Sequence, residues 1–358
     1  MSSFTRRGKD PALSSQPSPP RLIGYKPWTN GLGLVSCGNR QLDDCIGGGV
    51  ALGTTLLIEL DRLTSYGNTL LLYNLAEGIS CSHNCLLLST ATSDDVCNSI
   101  LAKLPYNLSA HTTSEGEGAD LTTTESISQG NDHGLKIAHQ YAKYLKVSSR
   151  ADSSSSSSIG GVNGVRYCNS FDLSKPLQSQ LLLQTSPSVF ALEQLKSSDN
   201  YGTLGSLDGI LAQWLQEIAG FVKSNAGVTS EASKAISRIF LPDLHTLLAI
   251  DSCNDVRAVN KNINKISRFV LSVKQLIRGN KIILCATFSK SHISQMSDFY
   301  YAKLFHVSDT VLSIESFAGF VNSVPAEFKD YCGFLLVKKV QQVGVLAPFK
   351  SPGNHIYL

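Results

Sequence analysis

The sequence predicts an α/β protein built on a mostly parallel central sheet flanked by helices. Three observations carry that expectation. Short apolar runs at residues 54–59, 85–91, 236–241, 282–288 and 310–314 have the length and composition of strands buried on both faces. Longer stretches with helical periodicity alternate with them, the order of crossover helices on a parallel sheet. Apolar residues make up 42% of the 358, enough to bury a sizeable core.

Taken in order, residues 1–27 carry Arg6, Arg7, Lys9, Arg21 and Lys26 against Asp10, among Pro and Ser clusters. They read as a disordered basic tail, with no apolar run of the kind a secretory signal needs. Residues 28–358 read as one domain. Gly47-Gly48-Gly49 marks a turn. A strand at 54–59, a polar loop at 61–68, a helix at 69–79 and a strand at 85–91 together form a βαβ unit. Regularity fails at about 107–165. Residues 107–134 hold Glu115, Glu117, Asp120, Glu125 and Asp132 without one Lys or Arg, and 153–158 are all serine. Such polarity marks a low-complexity insertion, although 135–147 inside it keeps helical periodicity. Structure resumes near Tyr167, with a helix at 209–225, a strand at 236–241 stopped by Pro242, and strands at 282–288, 310–314 and 334–340.

The clearest helix is 257–279. At 100° per residue Val259, Ile263, Ile266, Val270, Val273 and Ile277 form one apolar stripe, and Arg257, Lys261, Lys265 and Arg268 lie opposite it. Residues 257–281 contain seven cations and no acid, whereas the whole chain is only +3. Net charge alone points to no nucleic-acid or membrane partner. The local cluster allows two interpretations, a phosphate-binding ridge for RNA or a solvated helix face. No apolar run reaches the length of a transmembrane helix. Nine cysteines, an odd number, suggest free thiols in a reducing compartment. Cys81-Ser-His-Asn-Cys85 has His83 within it, but no second ligand cluster lies near in sequence, so no metal is expected.

A phosphate cradle would sit between the strand at 54–59 and the helix after it. Triphosphate binding needs several glycines whose N–H groups converge, a lysine on the β/γ-phosphates and a Ser or Thr on magnesium. The loop has one glycine and no lysine, and Glu59 and Asp61 stand where phosphate charge would lie. Asp61, Arg62, Thr64, Gly67 and Asn68 therefore mark a degenerate nucleotide loop. Asp243, after the strand at 236–241, is a candidate magnesium acid or simply a solvated strand end. His306 and Asp309 have no identifiable nucleophile, and no Gly-x-Ser-x-Gly elbow occurs. No catalytic residue is assigned.

Several strings carry a specific likeness. They are Asn30-Gly31, Leu34-Val35-Ser36-Cys37-Gly38, Leu42-Asp43, Gly47-Gly48-Gly49, Gly53 and Leu75-Ala76-Glu77-Gly78 in the first part. Leu135-Lys136-Ile137-Ala138 and Phe171-Asp172-Leu173-Ser174-Lys175-Pro176 follow. Later come Asp309-Thr310-Val311-Leu312, Ile314-Glu315-Ser316-Phe317-Ala318-Gly319, Phe328-Lys329-Asp330-Tyr331 and Gly333. With these the chain resembles the family of the fourth Elongator subunit over roughly residues 28–340. The resemblance implies a RecA-like fold without working Walker motifs. It implies a place beside the fifth and sixth Elongator subunits in a hetero-hexameric ring that binds tRNA and is linked to ATP hydrolysis. The ring serves the catalytic Elongator subcomplex, which modifies wobble uridine at carbon 5, so this chain would be non-catalytic. No cofactor is expected on the chain alone, with ATP at ring interfaces. A cytoplasmic location is implied, with the nucleus as a second. The chain stops at Leu358, where family members often continue, which suggests a shorter C-terminus. A RecA/KaiC-type ATPase with an atypical loop and a purely structural scaffold stand as alternatives.

Overall fold

The structure is a computed structural model. It describes residues 23–28, 32–91, 95–96, 99–108, 167–177, 182, 187–190, 206–226, 236–250, 255–289, 297–318, 324, 326–328, 330–342 and 355–357. Residues 1–22, most of the insertion and its periodic stretch at 135–147 lie outside the described residues.

The chain enters the fold before residue 28. Strand β1 (Tyr25–Pro27) pairs antiparallel with β2 (Gly33–Val35), which pairs with β3 (Val50–Ala51). Helix α1 (Arg40–Cys45) lies between β2 and β3 and is capped by the Asn39 side chain, which accepts the Leu42 N–H. The turn into β3 is Gly47-Gly48-Gly49, all with positive φ. At Gly49 (φ +123°) a Cβ would stand 2.1 Å from the Tyr167 hydroxyl and 2.6 Å from the Val35 carbonyl oxygen, so only glycine fits. The three glycines thus serve this turn and lie upstream of the strand that leads into the phosphate-loop position.

Among the described residues the main sheet has eight strands. Its parallel part comprises β4 (Thr55–Glu59), β5 (Asn84–Leu88), β8 (Ser188–Phe190), β9 (Ser237–Leu241), β10 (Ile282–Phe288) and β11 (Thr310–Ser316). Strands β12 (Gly333–Lys339) and β13 (His355–Tyr357) extend it antiparallel, and the spatial order is β13-β12-β11-β4-β10-β9-β5-β8. The expected α/β class, a mostly parallel sheet flanked by helices, is what the chain adopts. One detail differs from the expected βαβ unit. β4 and β5, joined by helix α2 (Tyr66–Ser80), are parallel but not neighbours, because β10 and β9 lie between them. Every residue of β4, β9 and β10 is buried, so these strands take the middle of the sheet, covered on both faces.

Side chains alternate across the strands into two cores. Leu57, Ile239 and Leu284 face helices α3 (Leu207–Ala226), α4 (Val256–Ile277) and α5 (Asp298–Val307), packing with Trp214, Ile218, Phe269 and Val270. Leu56, Ile58, Phe240 and Ile283 face the other way, onto Leu71, Leu75 and Ile79 of α2 and onto the N-terminal sheet. A separate pair, β6 (Pro105–Asn107) and β7 (Phe171–Pro176), brackets the insertion, with the Leu108 N–H bonded to the Ser170 carbonyl. Near the C-terminus Gln341 is buried against the N-terminal sheet. Its Oε1 accepts the Ala51 N–H (2.9 Å) and its Nε2 donates to the Gly49 carbonyl (2.7 Å). No helix among the described residues is long and apolar enough to cross a membrane.

Candidate functional site

The carboxyl ends of the parallel strands are where a ligand would bind in such a sheet. Six residues, 60–65, join the end of β4 to α2, and the helix begins at Tyr66, three residues before its expected start. Gly67 and Asn68 are therefore in the first helical turn, not the loop. Gly67 is buried where α2 crosses Leu60, and a Cβ there would come within 2.4 Å of a Leu60 methyl. Within the loop, Asp61 turns its carboxylate inward. It accepts the Leu63 N–H (3.2 Å), the Thr64 hydroxyl (3.1 Å) and, from the end of β11, the Ser316 hydroxyl (2.5 Å). Partial burial would raise its pKa, but these bonds and the Arg62 N–H outweigh burial and hold it below the ordinary carboxylate range. The chain's own carboxylate thus occupies the donors that a phosphate would need. Asp61 and Thr64 come together, whereas Arg62 and Asn68 are exposed.

Glu59 is neutralised rather than free. Lys338 on β12 reaches its Oε2 at 2.6 Å and lies 5.4 Å from the Phe305 ring centroid. Burial pushes the Glu59 pKa up, but hydrogen bonds from Lys338, Tyr301 and Ser313 prevail and lower it. Sequence reasoning missed Lys338 and Ser316. The Lys338-Lys339 pair closing an apolar strand was the only available signal for the first.

Asp243 follows β9 in a left-handed conformation (φ +51°), with its N–H donated to the Thr287 hydroxyl at 2.7 Å. It stands one strand removed from the loop, since β10 separates β9 from β4. Asp309 is structural: its carboxylate binds the Thr55 N–H and hydroxyl, both at 3.0 Å, and Lys274 at 2.7 Å. His306 is exposed in the last turn of α5.

On α4, residues 256–277 fold as expected, with the predicted apolar stripe buried and Asp255 capping the Arg257 N–H. The basic face divides. Arg257, Lys261 and Arg268 are exposed, with no carboxylate within ion-pair distance among the described residues. Lys265 is committed to Asp208 of α3 at 2.6 Å, so it is not equivalent to the other three. The pairing comes from the packing of α3 on α4, which the sequence of α4 does not encode.

A buried polar cluster lies beneath the N-terminal sheet. Arg238, in the middle of β9, is fully buried and anchors three segments. Its Nη1 donates to the Ser36 carbonyl (3.0 Å) and the Asn74 side chain (2.8 Å), and its Nε donates to His83 Nδ1 (3.0 Å). His83 Nε2 in turn pairs with the Ile23 carbonyl at 3.0 Å. Burial and the adjacent guanidinium push the His83 pKa down to about 3, which keeps the ring neutral. Burial raises Asp43 to about 6 and also raises Glu77, despite the pull of Arg238 on the latter. The thiols of Cys81 and Cys85 lie in this region, donating to Glu77 and to the His83 carbonyl, and burial raises both. His83 is engaged with protein groups on both nitrogens, and among the described residues no cluster of metal ligands forms.

These features define a class: a mostly parallel α/β domain whose phosphate-loop position is closed by its own carboxylate and which carries an exposed basic helix face. The chain belongs to the PAXNEB protein family, whose model matches residues 18–354. It is 30% identical over 326 residues to Elongator complex protein 4 of Danio rerio, spanning 88% of this chain and 76% of that one. To Elongator complex protein 4 of Homo sapiens it is 29% identical over 357 residues, spanning 97% and 79%. The resemblance seen in the sequence strings is thus confirmed at the level of family. Among solved structures it is similar to a KaiC-like protein from Pyrococcus horikoshii OT3, with TM-score 0.41 and 10% identity over 91% of this chain and 98% of that one.

Proposed function

We propose that the chain is a non-catalytic subunit of the Elongator complex. In this reading it occupies a RecA-like hetero-hexameric ring with the fifth and sixth subunits, contacts tRNA phosphates through the exposed cations of α4, and supports modification of wobble uridine at carbon 5 by the catalytic subcomplex. It works in the cytoplasm, and the nucleus is a second location. The observation that carries the non-catalytic part is the Asp61 carboxylate bonded inside the 60–65 loop, with Lys338 committed to Glu59. A triphosphate there would meet a like charge instead of a lysine, so any ATP sits at interfaces completed by neighbouring subunits. The names of the relatives and the exposed cations Arg257, Lys261 and Arg268 support the rest.

The test is affinity purification of the tagged full-length chain, with ATP turnover measured on the isolated chain. Recovery of the other Elongator subunits with tRNA, and no turnover, is the expected result. Recovery of neither partner nor RNA would overturn the assignment. Magnesium-dependent hydrolysis abolished by Asp243→Ala would instead revive an ATPase with an atypical loop.

A further inference from the structure

The N-terminal turn of α5 carries the most exposed large apolar side chain among the described residues, Phe299, at 66% of its full accessibility. A single exposed ring is ordinary on a protein surface, but this one is held in a defined setting. Its ring meets Tyr300 edge-on at 5.4 Å between centroids, and Lys303 places its ammonium 4.9 Å from the Phe299 centroid and 5.0 Å from that of Tyr300. Lys303 also donates to the Asn264 side chain of α4 (2.9 Å), and the Ser297 N–H donates to Asn260 (3.3 Å). Two asparagines of α4 therefore fix this turn of α5.

Those asparagines lie along the basic stripe. Asn260 is three residues beyond Arg257, and Asn264 is three beyond Lys261 and four before Arg268, the spacings at which helix side chains are neighbours. Arg257, Lys261, Arg268 and Lys303 thus border one surface with the Phe299 ring at its edge. Lys303 meets an amide oxygen and two aromatic rings, and among the described residues no carboxylate pairs with it. Cations that follow a phosphate chain beside an exposed ring are the combination by which proteins hold single-stranded nucleic acid, since every base offers a face to stack. A duplex keeps its bases stacked internally and would use the cations alone.

We propose that Phe299 is a stacking platform for an unpaired RNA base, which makes the α4–α5 surface selective for single-stranded or loop RNA over duplex. The inference rests on the reading that the α4 cations contact RNA phosphates, and it adds the structural class of RNA recognised there. A protein partner would also cover an exposed ring, but a row of cations with no carboxylate partner among the described residues beside it favours a polyanion.

The experiment measures binding of the full-length chain to a 12-nucleotide single-stranded RNA and to a 12-base-pair RNA duplex at several salt concentrations. Phe299→Ala should weaken the single strand about 5- to 100-fold, as for loss of one stacked base, and leave duplex affinity and both salt slopes unchanged. Phe299→Trp should keep the affinity and show tryptophan quenching with the single strand only. Equal affinities of wild type and Phe299→Ala for the single strand, or equal losses for both RNAs, would overturn the inference. If Lys261→Ala/Arg268→Ala still lowers affinity and slope in that case, the phosphate reading survives alone. If neither variant changes binding, or the chain binds no RNA, both fail. Loss of co-purifying subunits on Phe299→Ala with RNA affinity intact would identify the ring as a protein contact and overturn the inference.

Discussion

His83 should set the acid stability of the fold, in opposition to Asp43. The His83 imidazole accepts the Arg238 Nε–H at Nδ1, so a second ring proton would face a buried cation. Its pKa falls from 6.5 to about 3 in the fold. The unfolded ring takes up a proton below pH 6.5 and the folded ring does not, so the stability it contributes is present above 6.5 and lost as pH falls toward 3. At 1.36 kcal/mol per unit this amounts to about 5 kcal/mol. Asp43 has the reverse sign. Its pKa rises from 3.8 to about 6, so its contribution is present below 3.8 and lost as pH rises through 6, amounting to about 3 kcal/mol. Glu77, raised by burial, adds to the Asp43 side. The two slopes oppose each other between pH 4 and 6, and below about 4 the loss at His83 is joined by that of Glu59 and Asp61, whose lowered pKa values stabilise the fold only while they are ionised. Urea unfolding followed by far-ultraviolet circular dichroism from pH 7 to 3 would show this. Wild type should lose little stability until about pH 4. Asp43→Asn should begin to lose it near 6.5, and His83→Gln should gain stability from pH 6 to 4. A His83→Gln profile that parallels wild type between pH 6.5 and 3 would refute the reasoning.

Arg238→Met should cost about 3–5 kcal/mol, the usual consequence of removing one member of a buried charged network and stranding its partners; denaturant midpoints at pH 7 measure it, and a loss under 1 kcal/mol would contradict the anchoring role. Replacing residues 109–166 by a short Gly/Ser linker should leave the melting temperature nearly unchanged, because loop-closure entropy varies slowly with length; the deletion must start after Leu108 because Asn107 is a buried member of β6, and insolubility would show that the insertion is structural. Lys261→Ala/Arg268→Ala should leave folding stability unchanged, since exposed charges contribute little. The same pair should lower the salt slope of RNA binding by about two units, measured by anisotropy. An unchanged slope would make the face ordinary solvated surface, and Lys265 is a poorer choice because its removal also breaks the contact with Asp208.

The fold was legible wherever burial imposed a pattern. β10 is buried on both faces and appears as a nearly continuous apolar run, β9 is mostly apolar, and α4 has one buried stripe that repeats with the helical period. Strand order was not legible, because hydrophobicity records that β9 and β10 are central but not that they separate β4 from β5. Helix α5 was missed because Phe299, Tyr300, Tyr301, Leu304 and Phe305 surround it without a clear polar face. β1, β2 and β3, of three, three and two residues, are too short to show alternation. At the candidate site the sequence told correctly that the loop lacks a lysine and carries carboxylates. It could not tell that Ser316, 255 residues away, would close on Asp61. Arg238 stood in plain view as the one charge in an apolar strand, but a buried arginine is recognisable only once its partners from residues 36, 74 and 83 are assembled around it.

The placement of β4 has a consequence for synthesis of the chain. Its two neighbours are β10 and β11, and β10 begins at Ile282, whereas β4 ends at Glu59. At ribosomal speeds of about 5–20 residues per second, some 10–45 s separate the emergence of this mostly apolar strand from that of its first partner. The hydrogen bonds between Gln341 and the N-terminal sheet close later still. For that interval the nascent chain presents a hydrophobic strand with both edges open, a natural client for chaperones that hold extended segments.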